Sequence, residues 1–201
     1  MASGESSALA ETLALAFRDN PMNRAAIRGG PSRRLRANRC GIRGTLAAAA
    51  GRSTILVSET TEKRAAEPLA GGLVGLPPGA WPLPPPALLA QIQLALGQGM
   101  GTVRRWGEVY SRLAQLHLGE PHWYLLLLGV GPAGRRQGVG SALLQAWLRE
   151  VDRDGVPAYL ETDCRENLAF YRRAGFEVLE AHEILQTPIW RMARPAGALS
   201  S

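Results

Sequence analysis

The sequence predicts a single mixed α/β domain, and three observations carry that reading. The chain has 201 residues, 46% of them hydrophobic, which is enough for one well-buried core and argues against wholesale disorder. Trp123 to Val130 is an unbroken apolar run, as expected of a strand covered on both faces. The periodicities also succeed one another as helices, a hairpin, two helices, then strand–helix–strand–helix–strand–strand, the order of a mixed sheet with helices packed on it.

Each element has a local reason. Leu9, Leu13 and Phe17 recur every four residues with Ala10, Ala14 and Ala16 between them, giving an amphipathic helix entered at Ser6 or Ser7 and stopped by Asn20-Pro21. Pro31-Ser32 opens a second helix through Leu35, which Gly41 and Gly44 weaken. Ser53 to Glu59 reads as a strand, Thr60 to Pro68 as a polar loop, and Ala70 to Leu76 as the strand that completes the hairpin. Trp81 to Pro86 holds too much proline for regular structure. Helical patterns follow over Ala87–Leu96 and Arg104–His117, with Gly97, Gly99 and Gly101 between them.

After the apolar strand, Ser141 to Val151 makes a helix that turns Leu143, Leu144, Trp147, Leu148 and Val151 inward. Ala158–Thr162 is a short strand, and Asn167–Ala174 a helix with Gly175 suited to its C′ position. Phe176–Glu183 and Ile189–Ala193 are closing strands. The domain is read as residues 1–195, with a small, polar, frayed tail over 196–201.

Composition narrows the function classes. The formal charge is +6, almost all of the basic residues are arginine, and Lys63 is the only lysine. Arginine favours bidentate anion binding, but the excess is spread along the chain, so nucleic acid is not expected as a partner. Cys40 and Cys164 suggest neither a disulfide framework nor, with His117, His122 and His182, a metal site. No apolar run approaches the ~20 residues that span a membrane, and Met1 to Ala10 lacks the features of a signal peptide. A cytoplasmic protein is the simplest reading, with a homodimer an open option.

The chemistry is concentrated after the apolar strand. Arg135-Arg136-Gln137-Gly138-Val139-Gly140-Ser141 joins that strand directly to a helix. Glycine at 138 and 140 lets an anion approach the main chain, and the helix start adds unpaired N–H groups and partial positive charge. Such a loop can cradle a diphosphate.

Those residues resemble the Arg/Gln-x-x-Gly-x-Gly/Ala signature of the GCN5-related N-acetyltransferase (GNAT) superfamily. A second segment matches downstream: Leu160-Glu161-Thr162, then Asn167, Phe170-Tyr171 and Gly175-Phe176. The motif core spans residues 123–180. Pro77–Leu83, Glu120–Leu125 and Trp190-Arg191-Met192 further resemble a bacterial subgroup that includes puromycin N-acetyltransferase-like proteins. Two departures stand out: the family's usual strand ahead of the first helix is missing or very short, and Gly41 and Gly44 interrupt a normally helical region.

The resemblance implies a mixed, mostly antiparallel sheet, flanked by helices and splayed where acetyl-CoA enters. It implies that the backbone of Leu128, Gly129 and Val130 binds the pantetheine arm. Arg135, Arg136, Gln137, Gly138, Val139, Gly140 and Ser141 would hold the pyrophosphate, and Asn167 would hydrogen-bond the cofactor. No metal is implied. The expected reaction is direct attack of a small-molecule primary amine on the thioester in a ternary complex. The N–H of Val130 or a neighbour would face the oxyanion, and Tyr171 would face the leaving sulfur. With tyrosine near ~10 and a thiol near ~8.5, full proton transfer is uphill by roughly 2 kcal/mol, so Tyr171 helps first by hydrogen bonding. Glu161 is the first candidate for amine contact or base, with Glu108, Glu120 and His122 as alternatives, and Trp81, Trp106 and Tyr110 could line the acceptor pocket. A CoA-binding sensor or interaction module without catalysis is the alternative reading of the same residues.

Overall fold

Leu9, Ala10, Leu13 and Ala14 are all fully buried, so the first amphipathic stripe packs as its spacing predicts. It belongs to α1 (Ser3–Phe17) in a computed structural model that describes residues 3–60, 69–85 and 88–197. The loop expected over Thr60–Pro68 lies outside the described residues from 61 on, as do position 87 of the fourth predicted helix and the last four tail residues. There follow α2 (Pro21–Ala26), α3 (Pro31–Ala49), β1 (Thr54–Glu59), β2 (Leu69–Leu76), α4 (Leu88–Gln98) and α5 (Met100–Leu116). Then come β3 (Trp123–Val130), α6 (Val139–Asp154), β4 (Ala158–Thr162), α7 (Asn167–Arg172), β5 (Glu177–Ile184) and β6 (Thr187–Arg194).

Among the described residues, six strands form one sheet in the order β1-β2-β3-β4-β6-β5, with β3–β4 its one parallel pair. Helix α6 covers one face, where Leu143, Leu144, Trp147, Leu148 and Val151 meet Leu125, Leu160 and Met192. Helices α1 and α3 cover the other, against Val74, Leu76, Tyr124 and Tyr159. Every residue of β2 is buried. Its glycines make room: a Cβ on Gly72 would collide with Leu9, and one on Gly75 with the Trp147 indole.

Two departures from sequence expectation have physical causes. Pro21 does not simply end α1; it opens α2 at the first helical position, where its missing N–H costs nothing. Gly41 and Gly44 do not limit α3, which runs on to Ala49. A Cβ at Gly41 would lie 2.8 Å from Gln98 Nε2, and one at Gly44 would lie 3.1 Å from Leu94 Cδ2. These glycines are the face on which α4 rests, and that packing offsets their roughly 1 kcal/mol propensity cost each.

The sheet opens at one place. Strands β3 and β4 pair at Trp123–Ala158 and Tyr124–Tyr159 and at no later residue. On the other edge of β3 the register to β2 slips: Gly75 lies opposite Leu125 and Val74 opposite Leu127, leaving Leu126 as an extra residue. Leu126 and Leu127 therefore both pack on the α1 side, while Leu125 and Leu128 pack on the α6 side. Such a bulge bends its strand and raises local twist, which turns β3 away from β4.

Candidate functional site

The gap left by that divergence is a cleft of about 280 Å³. Leu128, Gly129 and Val130 form one wall, Cys164, Asn167, Phe170 and Tyr171 the other, and Ala16, Phe17 and Asn20 of the α1 end close it. Arg135 and Gly140 stand at the mouth. Gly131 donates to Ala70 O at 2.9 Å, and Val130 lies opposite Gly71. By the alternation of an antiparallel ladder, the amides of Leu128 and Val130 then point away from β2, toward the open edge. The wall of the cleft is thus a strand edge with unpaired donors and acceptors, ready to pair with an extended amide-bearing chain.

The loop beside it is built for an anion. Gly138 has φ +77° and forms the N-cap of α6, and no side chain caps that helix. Ala142 takes the first intrahelical bond, to Gly138 O at 2.9 Å, so the N–H groups of Val139, Gly140 and Ser141 have no intrahelical acceptor. Arg136, in the left-handed region at φ +61°, makes the turn together with exposed Gln137, whose Nε2 donates to Ala133 O. The Val139 side chain packs into the α6-side core, so at that position the backbone faces the loop. Of the predicted anion-loop residues, Arg135 and Gly140 line the cleft itself.

Tyr171 is buried, packed edge-on between Phe170 at 5.0 Å and Phe176 at 5.9 Å. Burial, and secondarily the neighbouring Cys164 and Asp163, raise its hydroxyl well above the usual range, so it stays protonated across neutral pH. Asn167 starts α7, and its Nδ2 donates to Thr162 Oγ1 at 3.4 Å. Cys164, to which the sequence assigns neither a disulfide nor a metal, lines the cleft; burial and then Asp163 push its thiol up to about 12, which keeps it a poor nucleophile. Among the described residues, no group of three or more His, Cys, Asp or Glu side chains is placed to hold a metal ion, and no helix is long and apolar enough to cross a membrane.

Glu161 points to the opposite face of β4 from Leu160, into a box of rings. His117 Nδ1 lies 3.7 Å from Glu161 Oε1, and both side chains are more than nine-tenths buried. The His117 ring sits 4.9 Å from Trp81, 4.8 Å from Tyr124 and 5.1 Å from Tyr159. Burial, then the Glu161 charge, push the Tyr124 and Tyr159 hydroxyls upward. The structure thus brings Trp81 and His122 to Glu161. Glu108 and Glu120 have exposed side chains; Trp106 packs beside Met22 and Ile184, and Tyr110, 5.8 Å from it on α5, stands near Tyr124 of the box. His117, Tyr124 and Tyr159 were not anticipated. The signal for His117 was a pair of histidines five residues apart across a helix end, legible only once its depth was known.

Residues 89–178 match the model of the acetyltransferase (GNAT) domain. Solved structures resemble the chain over most of its length. One is a Corynebacterium glutamicum protein described as histone acetyltransferase HPA2 and related acetyltransferase, with TM-score 0.74, 20% identity, and 100% of this chain and 96% of that chain covered. Another is arylalkylamine N-acetyltransferase 2 from Aedes aegypti, with TM-score 0.60, 12% identity and coverage of 97% and 96%. A third is Naa20 from Chaetomium thermophilum in complex with a bisubstrate analogue, with TM-score 0.52, 16% identity and coverage of 93% and 82%.

Proposed function

We propose that this chain, whose residues 89–178 match the model of the acetyltransferase (GNAT) domain and whose fold resembles that of solved acetyltransferases, is an N-acetyltransferase that moves the acetyl group of acetyl-CoA to a primary amine. The observation that carries the reading is the cleft between β3 and β4, where an open strand edge, an uncapped helix start and a buried, protonated tyrosine converge. The fit to acetyl-CoA is chemical. The amides of Leu128 and Val130 suit the two amides of a pantetheine arm, and the Val139–Ser141 N–H groups with Arg135 suit a diphosphate. Arg136, Gln137 and Gly138 shape that loop, and Asn167 adds a polar contact.

Acetyl-CoA supplies an acetyl group activated as a thioester. The chain's residues do the rest. The Val130 N–H faces the developing oxyanion. Tyr171 donates a hydrogen bond toward the departing sulfur and delivers its proton late, because its raised pKa opposes early transfer. An amine arrives mostly protonated at neutral pH, and Glu161 is the carboxylate that takes its proton. Direct attack within a ternary complex agrees with a thiol at Cys164 held protonated, which leaves no ready nucleophile in the cleft for an acetyl-enzyme. The acceptor is read as a small molecule, in keeping with the resemblance to puromycin N-acetyltransferase-like proteins and with the named substrate class of the Aedes aegypti relative.

The deciding experiment is release of free thiol from acetyl-CoA across a panel of alkylamines, arylalkylamines, polyamines, aminoglycosides and peptides. Amine-dependent release supports the reading. Stabilisation by acetyl-CoA in a thermal shift, without release on any amine, would leave the CoA-binding module.

A further inference from the structure

Resting on the assignment of Glu161 to the acceptor's proton, we infer that the proton comes to rest on His117 Nδ1, and that His122 keeps that nitrogen free to take it. The argument is a chain of donors and acceptors. His122 Nδ1 lies 2.7 Å from Glu120 O, and a carbonyl oxygen can only accept, so Nδ1 carries the hydrogen. Burial lowers the His122 pKa, so the ring is neutral and its Nε2 is a bare acceptor. That Nε2 lies 3.1 Å from His117 Nε2, which must therefore donate. Neutral His117 is left with a lone pair on Nδ1, and that lone pair faces Glu161 Oε1 across 3.7 Å.

Two acceptors more than nine-tenths buried thus look at each other; neither Nδ1 nor Oε1 has a hydrogen-bond partner of its own, while the Tyr124 and Tyr159 hydroxyls reach the Glu161 carboxylate as donors. An unpaired buried acceptor costs roughly 1–3 kcal/mol, and one proton between them satisfies both. In the step, an N–H bond of the acceptor's ammonium breaks toward the Glu161 carboxylate and an Nδ1–H bond forms on His117. The products are a neutral amine and an imidazolium–carboxylate pair; no electrons leave the site. The groups facing this pair are Tyr124 of β3, Tyr159 of β4, His122, and Tyr110 of α5 beyond Tyr124. Arg191 of β6, which stands opposite Glu161 in the β4–β6 register, donates to Tyr159 Oη at 3.2 Å and pairs with Glu180 of β5, so it is a further charged group on this face. His117 and His122 are positioning and proton-holding residues; neither touches the thioester.

Two readouts test this. Long-range nitrogen NMR on the substrate-free protein with 15N-labelled histidine should show His122 as the Nδ1–H tautomer and neutral His117 as the Nε2–H tautomer. Neutral His117 carrying hydrogen on Nδ1 overturns the inference, whether or not the protein acetylates any amine. With an amine that supports thiol release by the wild type, His117→Phe keeps the ring packing and should lower kcat at least ~10-fold with KM for acetyl-CoA unchanged. His117→Ala should lose activity similarly and regain part of it with added imidazole. Wild-type kcat in His117→Phe, or loss in both variants with no gain from imidazole, overturns it. Wild-type protein that releases no thiol with any amine counts against the parent reading instead.

Discussion

Asp163 and Met22, 141 residues apart in sequence, are joined by a 2.7 Å hydrogen bond from the Met22 backbone N–H to Asp163 Oδ2. Asn20, the residue ahead of α2, makes no side-chain cap. The carboxylate that follows β4 does the work from outside, satisfying one of the N–H groups that a helix start leaves unpaired. The bond also fixes the α1–α2 corner, where Asn20 lines the cleft, to the strand that carries Glu161. Asp163→Ala should cost about 1 kcal/mol, read as a melting temperature lower by roughly 2–4 °C for a chain of this size. It should also raise KM for acetyl-CoA by loosening the Asn20 wall. An unchanged melting temperature would mean that the bond contributes nothing to anchoring α2.

Tyr171→Phe removes one hydroxyl and keeps the ring between Phe170 and Phe176. Turnover should fall about 10²-fold, the low end for a general acid, with KM for acetyl-CoA little changed. Because the Tyr171 pKa is raised, it loses no proton near neutrality. Any alkaline limb of the wild-type pH–rate profile that begins below the usual tyrosine range should therefore persist in the variant. Steady-state kinetics over pH check both points, and unchanged turnover removes Tyr171 from the reaction.

Much of this site was legible in the sequence because it is local. A glycine-rich loop between strand and helix, and an Asn167-to-Tyr171 segment, put their chemistry within a few residues of one another. The β3 limits match the apolar run that predicted it, and β4 matches the short strand read at Ala158–Thr162. What was not legible depends on long-range packing. Gly41 and Gly44 read as weakening their helix because their partners, Gln98 and Leu94, lie some fifty residues on. His117 read as an unremarkable histidine because its depth comes from Trp81, Tyr124 and Tyr159, supplied by three separate segments. The bulge at Leu126 carries no residue signal, being a register slip in a run of four leucines.

Gly129 tests how closely α1 must approach the strand edge. A Cβ there would lie 2.8 Å from Leu13 Cδ2, 3.0 Å from Ala16 Cβ and 3.3 Å from Phe17. Ala16 has no rotamer to yield, so α1 must move. Gly129→Ala should destabilise by about 1–3 kcal/mol through overpacking, seen as a lower denaturation midpoint. Because Ala16 and Phe17 line the cleft, the same change should weaken acetyl-CoA binding in calorimetry. Wild-type stability together with wild-type affinity would show that α1 has more room than the packing implies.

His122 gives a pH dependence of stability. Burial is the largest influence on it and lowers its pKa in the folded state relative to the unfolded value of ~6.5. Above ~6.5 both states hold the ring neutral and stability is at its full value. As pH falls below that, the unfolded chain gains a proton that the folded one resists, so stability drops until the folded pKa is passed. Denaturation midpoints should therefore decline from pH 7.5 to pH 5. In His122→Gln the slope across that interval should be shallower, whatever the variant's absolute stability. A parallel slope assigns the acid sensitivity to other groups.

Arg135 separates the two ends of the proposed cofactor site. It stands at the cleft mouth beside Gly140, next to a helix start that already offers backbone N–H groups. A charge-assisted hydrogen bond to a phosphate is worth about 1.5–3 kcal/mol, and tenfold in affinity corresponds to about 1.4 kcal/mol. Arg135→Gln should then raise KM for acetyl-CoA at least ~10-fold at low ionic strength, with a smaller effect as salt screens the wild-type contact. An acetyl thioester of pantetheine keeps the amides that pair with the strand edge but lacks the diphosphate, so its KM should be the same for variant and wild type. Equal increases for both thioesters would move Arg135 from the diphosphate to the acyl arm and take the anion-binding role away from this end of the loop.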